Sequence, residues 1–161
     1  MFQRGDHVVH HIHGAGTIVG LVHPDSAPKD CEYYELDLVA SDTRLMVPVE
    51  GAEESLRPVS SSGTMDEALK AILQQLPNAN VGRGRWRQRL RASLRTGQAL
   101  AAAEVLQHLR ARHQRRDLTR TDRRLLRKAT AFLASEIAVV KKIPFEQAEY
   151  QVESLAMSCP S

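Results

Sequence analysis

Over the first 60 or so positions, apolar and polar residues tend to alternate; beyond residue 63 the apolar positions recur at every third or fourth residue. The first pattern predicts strands. Val8, Val9 and Ile12 open it, and Thr17-Ile18-Val19-Gly20-Leu21-Val22 follows as a β-branched run. Between Glu32 and Val39, Tyr34, Leu36 and Leu38 fall on one side and Glu35 and Asp37 on the other. Arg44 to Val49 forms a further run that ends in Pro48-Val49. Turn residues separate the runs at Gly14-Ala15-Gly16, Pro24 to Pro28 and Ser41-Asp42. Short loops between such runs predict an antiparallel meander. About five short strands in this length close naturally into a small barrel, which removes exposed edges. Gly14 and Gly16 are expected to take positive φ or to permit a close backbone approach.

The second pattern predicts helices. Thr64-Met65-Asp66-Glu67 has the form of a capping box. It opens a helix carrying Met65, Ala68, Leu69, Ile72, Leu73 and Leu76, which Pro77 stops. The stretch from Pro77 to Gly84 is expected to be a loop, and Ser60-Ser61-Ser62-Gly63 a linker. A short helix from about Arg85 to Thr96 ends at Gly97, and a third helix covers about Gln98 to Arg115 with a stripe of Ala99, Ala102, Ala103, Leu106 and Leu109. Thr119-Arg120-Thr121-Asp122 resembles a second capping box. It precedes a helix whose buried face holds Leu125, Leu126, Ala129, Phe132, Leu133, Ile137 and Val140. Pro144 suits the first position of a last helix bearing Phe145, Ala148, Val152 and Leu155.

Charge divides the chain at the same place. Residues 1–62 carry four basic and ten acidic groups, whereas residues 81–128 alone carry 15 basic and three acidic ones. An acidic module does not lie comfortably on nucleic acid, but one this basic attracts polyanions. Two modules with different partners are therefore expected, 1–62 and 63–161. The 161 residues suffice for one ordinary domain or two small ones. No apolar run approaches the roughly 20 residues of a membrane-spanning helix, and the start MFQRGDHVVHH lacks the form of a secretory signal. Cys31 and Cys159 are too few and too far apart for a disulfide framework or a cysteine-built zinc site. A cytoplasmic protein with free thiols is expected.

His7, His10, His11, His13 and His23 cluster in the strand-forming part. Three of them could in principle converge on a metal, yet on a strand His11 and His13 share a face that His10 does not, and no carboxylate pair follows at ligand spacing. Surface and turn-packing histidines are the expectation. No nucleophile–base set is legible, so an enzyme is not expected.

The chemistry concentrates in Arg83-Gly84-Arg85-Trp86-Arg87-Gln88-Arg89-Leu90-Arg91, which holds five arginines, the only tryptophan and no acid. Guanidinium groups suit phosphate in geometry as well as charge, and the helix start near Arg85 adds free backbone N–H groups. Two readings of Trp86 stay open. At i, i+4, i+8 with Leu90 and Leu94 it is the first core residue of an amphipathic helix; at the tip of a basic face it can stack on an unpaired base or wedge into a minor-groove step. Arg120, Arg123, Arg124, Arg127 and Lys128 form a second basic stripe, on the side of the fourth helix away from its apolar face. Arg110, Arg112, Arg115 and Arg116 close the third helix, where they either complement its dipole or add to the phosphate-binding charge.

At these residues the chain resembles the CarD/CdnL family of bacterial transcription factors. Phe2 to Val9 with Gly14-Ala15-Gly16-Thr17-Ile18 is similar to the family's opening, and Tyr33-Tyr34-Glu35-Leu36, Leu45-Met46-Val47-Pro48-Val49 and Leu56-Arg57 continue it. Trp86-Arg87-Gln88-Arg89, Ala103-Glu104-Val105-Leu106 and the Thr119–Lys128 stretch carry the C-terminal half. The resemblance implies an α+β chain with two parts. A Tudor/SH3-like antiparallel barrel would bind the β subunit of RNA polymerase, and a compact bundle of about five helices would contact promoter DNA at the upstream edge of the transcription bubble. It implies that Trp86 acts as a minor-groove wedge. Arg85, Arg87, Arg89, Arg91, Arg123, Arg124 and Arg127 are the expected DNA contacts, and Tyr34, Arg44, Met46, Val47 and Pro48 the expected polymerase contacts. The hairpin from His23 to Pro28 lacks the basic residue that some members direct at polymerase, and Met46 stands where some carry arginine. The reading that follows is a non-enzymatic regulator without cofactor or metal, monomeric when free, that stabilises open promoter complexes. A stand-alone nucleic-acid-binding protein with no polymerase tether is the alternative.

Overall fold

The computed structural model describes residues 1–76 and 85–158; the expected loop from Pro77 to Gly84, Arg83 included, and Cys159 lie outside these residues. Strands β1 (His7–His10), β2 (Gly14–Val22), β3 (Tyr33–Leu38), β4 (Arg44–Pro48) and β5 (Leu56–Pro58) pair antiparallel in the order β4-β3-β2-β1-β5. The predicted alternation in β3 holds, since Tyr34, Leu36 and Leu38 are buried and Asp37 is exposed. Val47 of β4 and Leu56 of β5 come from opposite edges of the sheet yet share one core with Val8, Ile18, Tyr34 and Leu36. The sheet therefore curls round that core. Ile12, expected in the first strand, falls in the β1–β2 turn and is 61% exposed.

Five helices follow: α1 (Ser62–Leu73), α2 (Trp86–Arg95), α3 (Ala99–His113), α4 (Arg120–Lys141) and α5 (Phe145–Met157). Two boundaries differ from the sequence expectation. The cap of α1 is Ser61, whose Oγ accepts the Thr64 N–H at 3.1 Å, so the helix begins inside the serine-rich stretch expected to be a linker. It also ends at Leu73, with Gln74 already extended; Pro77 disfavours helical geometry at Leu76, and the helix stops a turn early. The second expected box is present in full: Thr119 Oγ1 accepts from Asp122 N, and the Asp122 carboxylate accepts from Thr119 N.

The outer face of the sheet joins the helical core. Val8 and Val9 are neighbours on one strand, so their side chains point to opposite faces. Val8 belongs to the sheet core, whereas Val9 and Ala15 belong to the core built by Leu106, Phe132, Leu133 and Ile137. Each fully buried Val, Leu or Ile among these contributes roughly 1.5–3 kcal/mol. Helix α4 packs against β2, α1, α3 and α5, and its residues from Phe132 to Ala138 are buried without a break. Close approach of β2 to α4 requires Gly14: φ is +86°, and a Cβ there would lie 2.6 Å from Ser135 Oγ. That hydroxyl accepts the Ala15 N–H at 2.9 Å.

Candidate nucleic-acid interface

Helix α2 starts at Trp86 and ends where Gly97 adopts φ +76°. Its Leu90 is 5% exposed, while Arg85, Arg89 and Arg91 are exposed. Arg123, Arg124 and Arg127 on α4 are exposed too, with Arg120 and Lys128 beside them. Arg91 and Arg95 of α2 and Arg124 and Lys128 of α4 line one common cleft, so the two basic stripes meet.

Trp86 occupies a position between its two sequence readings. The residue is half-buried and packs against the helical core, but part of it stays accessible. Two guanidinium groups lie over its ring, Arg112 at 4.9 Å and Arg87 at 5.6 Å from the centroid, both within cation–π range.

The same two arginines converge on Asp122, which is fully buried. Its Oδ1 accepts from Arg87 Nε at 2.7 Å and its Oδ2 from Arg112 Nε at 2.9 Å, while Oδ2 also accepts the Thr119 N–H at 3.0 Å. Burial by itself would raise the Asp122 pKa. The Arg87 hydrogen bond, the bonds with Thr119 and the Arg87 charge outweigh that and hold it at about 2. A single carboxylate thus caps α4, ties α2 to it and orders the cations around Trp86.

One sequence expectation changes here. Arg112 is 3% exposed and ion-paired, so it is not part of a phosphate-binding end of α3. Arg87, an expected DNA contact, donates through Nε to Asp122 and through one Nη to Thr119 Oγ1, while its side chain stays 33% exposed. The capping box predicted Asp122 only as a cap; its partners Arg87 and Arg112 lie 35 and 10 positions away, and no local signal links them to it.

On the sheet, the five expected polymerase contacts separate by the pleat. Tyr34 and Val47 are 3% and 4% exposed core residues, and the Tyr34 hydroxyl accepts the Phe2 N–H. Their side chains are not surface groups. Arg44, Met46 and Pro48 are exposed along β4, an edge strand. Arg44 pairs with Glu35 at 3.2 Å.

The histidine cluster has a structural use. His10 is buried, and its Nδ1 accepts the N–H groups of Ile12 and His13, closing the β1–β2 turn. Desolvation, then the neighbouring His11 and His13, lower its pKa to about 4. His7 instead hydrogen-bonds Thr17. Among the described residues no helix is long and apolar enough to cross a membrane.

Comparison with known proteins accords with this arrangement. Residues 2–60 match the CarD-like/TRCF RID domain, an RNA polymerase-interacting domain type, and residues 69–153 match the CarD C-terminal domain. A protein of Bacillus subtilis (strain 168) named "Putative transcription factor YdeB" is 30% identical over 152 residues, spanning 91% of this chain and 97% of that one. The order of sheet and bundle, the basic face around Trp86 and these matches across nearly the whole length place the chain in the CarD/CdnL family of transcription factors, which is not an enzyme class.

Proposed function

We propose that this protein stabilises open promoter complexes. The module of residues 1–62 binds the RNA polymerase β subunit, and the module of residues 63–161 holds promoter DNA at the upstream edge of the bubble. The observation that carries this reading is the position of Trp86, half-buried, flanked by ordered guanidinium groups and set among exposed arginines. An indole braced in this way reaches a groove without losing its own support.

The edge strand β4, with Arg44, Met46 and Pro48 outward, offers backbone pairing to polymerase. Arg85, Arg87, Arg89, Arg91, Arg123, Arg124 and Arg127 hold phosphates of the upstream duplex, and Trp86 occupies the minor groove where pairing is lost. Collapse of the bubble has to expel the ring. The factor therefore binds the open complex better than the closed one, and only such a difference shifts the equilibrium. About 1.4 kcal/mol shifts it tenfold, within the range of a single stacking contact. Tethering to polymerase raises the local concentration of the bundle, so weak and salt-sensitive DNA affinity suffices.

The test is open-complex lifetime on one promoter with wild-type protein and Trp86→Ala, alongside retention of polymerase β by the full chain. A lifetime shortened several-fold in the variant, with retention unchanged, supports the proposal. An unchanged lifetime rejects the wedge. Loss of retention in the wild type rejects the tether and favours a stand-alone nucleic-acid-binding protein.

A further inference from the structure

A cleft of about 650 Å³ opens where the β1–β2 turn meets α2 and α4. Ligand pockets for small molecules fall in this size range. Both cationic and apolar side chains line it. Arg91, Arg95, Arg124 and Lys128 supply four cations, no acidic side chain lines it, and none of the four makes an ion pair among the described residues. Leu94 and the exposed Ile12 of the turn give it apolar lining, with the edges of the core residues Leu125 and Phe132 beneath.

The walls are held in place before any ligand arrives. Gly97 brings the end of α2 against the turn so closely that a Cβ there would lie 2.8 Å from His11 Cα. Two Nδ1-accepted hydrogen bonds at His10 fix the turn itself. Such a site loses little entropy on binding.

We propose that this cleft binds a nucleoside polyphosphate, with the base on the apolar lining at Leu94 and Ile12 and the phosphates on the four cations. A stacked duplex offers its phosphates to an open surface and has no use for the concave apolar lining. A free nucleotide presents a flat heterocycle and a compact polyanion together, which matches both chemistries. Arg91 and Arg124 also belong to the proposed DNA surface. Resting on that reading, nucleotide and duplex DNA compete, and each raises the apparent Kd of the other in proportion to its own saturation of the shared cations.

The experiment is a fluorescence anisotropy titration of the full chain with ribose-labelled ATP at physiological salt. Saturable one-to-one binding is expected. Arg95→Ala combined with Lys128→Ala weakens it at least about tenfold, because two charge-assisted contacts are lost. Both residues are exposed, so a thermal melt like that of the wild type is expected of the variant. Lys70→Ala, on α1 and outside the cleft, leaves binding unchanged. Unlabelled ATP displaces the probe at least about tenfold better than inorganic tripolyphosphate, since only ATP uses the apolar lining.

Failure to saturate, an unaffected double variant, or equal displacement by tripolyphosphate overturns the proposal. Tighter binding by a short single-stranded oligonucleotide than by ATP overturns it as well and assigns the cleft to DNA. If ATP binds as stated but duplex DNA does not displace it, the nucleotide site stands and the DNA reading of Arg91 and Arg124 falls.

Discussion

Arg57 of β5 grips Glu136 of α4 with both terminal nitrogens, each 2.8 Å from a carboxylate oxygen, across 79 positions of sequence. The same guanidinium donates through Nε to the Gly97 carbonyl at 2.8 Å, and Glu136 Oε2 accepts the Ser60 N–H at 2.7 Å. Sheet, linker and α4 thus meet at one fully buried carboxylate, and Arg57 ties the α2–α3 turn to it. Together with the Ala15–Ser135 hydrogen bond, it fastens the sheet to α4.

Removing one partner of a buried pair leaves the other uncompensated. Glu136→Gln is therefore expected to cost about 3–5 kcal/mol in urea unfolding. Arg57→Met combined with Glu136→Gln should cost less than the sum of the two single changes, because the orphaned charge is gone. Strict additivity would show that the pair contributes no coupling.

Asp122→Asn retains the shape of the cap but strips the charge from between Arg87 and Arg112, and Arg112 has no route to solvent. A loss of about 3 kcal/mol is expected. The emission of Trp86, the only tryptophan, should change in the folded state as its flanking cations reorder. A spectrum identical to wild type would mean that Asp122 does not position the ring.

The carboxyl of Asp122 has a folded pKa of about 2 against an ordinary 3.8. Its stabilisation is complete above the ordinary value and fades as pH falls toward 2, by roughly 2 kcal/mol in all. Thermal melts between pH 2 and 5 should show this slope in wild type and a shallower one in Asp122→Asn.

His10 acts in a separate window. Its folded pKa of about 4 lies below the ordinary 6.5, so the unfolded chain takes up the proton first. Stability is lost as pH falls from 6.5 to 4, by at most about 3 kcal/mol. In His10→Asn, whose Oδ1 can still accept the turn N–H groups, the slope across this window should flatten. An unaltered slope would place the titration elsewhere.

Gly97→Ala meets both a left-handed backbone, φ +76°, and the main chain of His11 at 2.8 Å. Gly20→Ala meets nothing within 4 Å. The first should lower stability by about 2 kcal/mol or more and the second by under about 1 kcal/mol, measured by urea unfolding.

Much of this protein was legible in the one-dimensional pattern because its physical causes are local. Alternation in Tyr33–Leu38, the Thr119–Asp122 box, Gly97 after α2 and the small-residue stripe of α3 depend on neighbours within a few positions. The split between an acidic strand-rich half and a basic helical half is a property of composition alone. Tertiary structure decided the rest. Val9 and Ala15 are core residues on the sheet's outer face because a helix distant in sequence covers that face. Glu136 sits within a run of buried residues on α4, a sign that some cation must meet it, but only folding selects Arg57. Arg87 and Arg112 look like the exposed arginines around them until Asp122 draws them in. Charge pairing and burial depend on distance in space, and the order of residues along a chain does not specify that distance until the chain has packed.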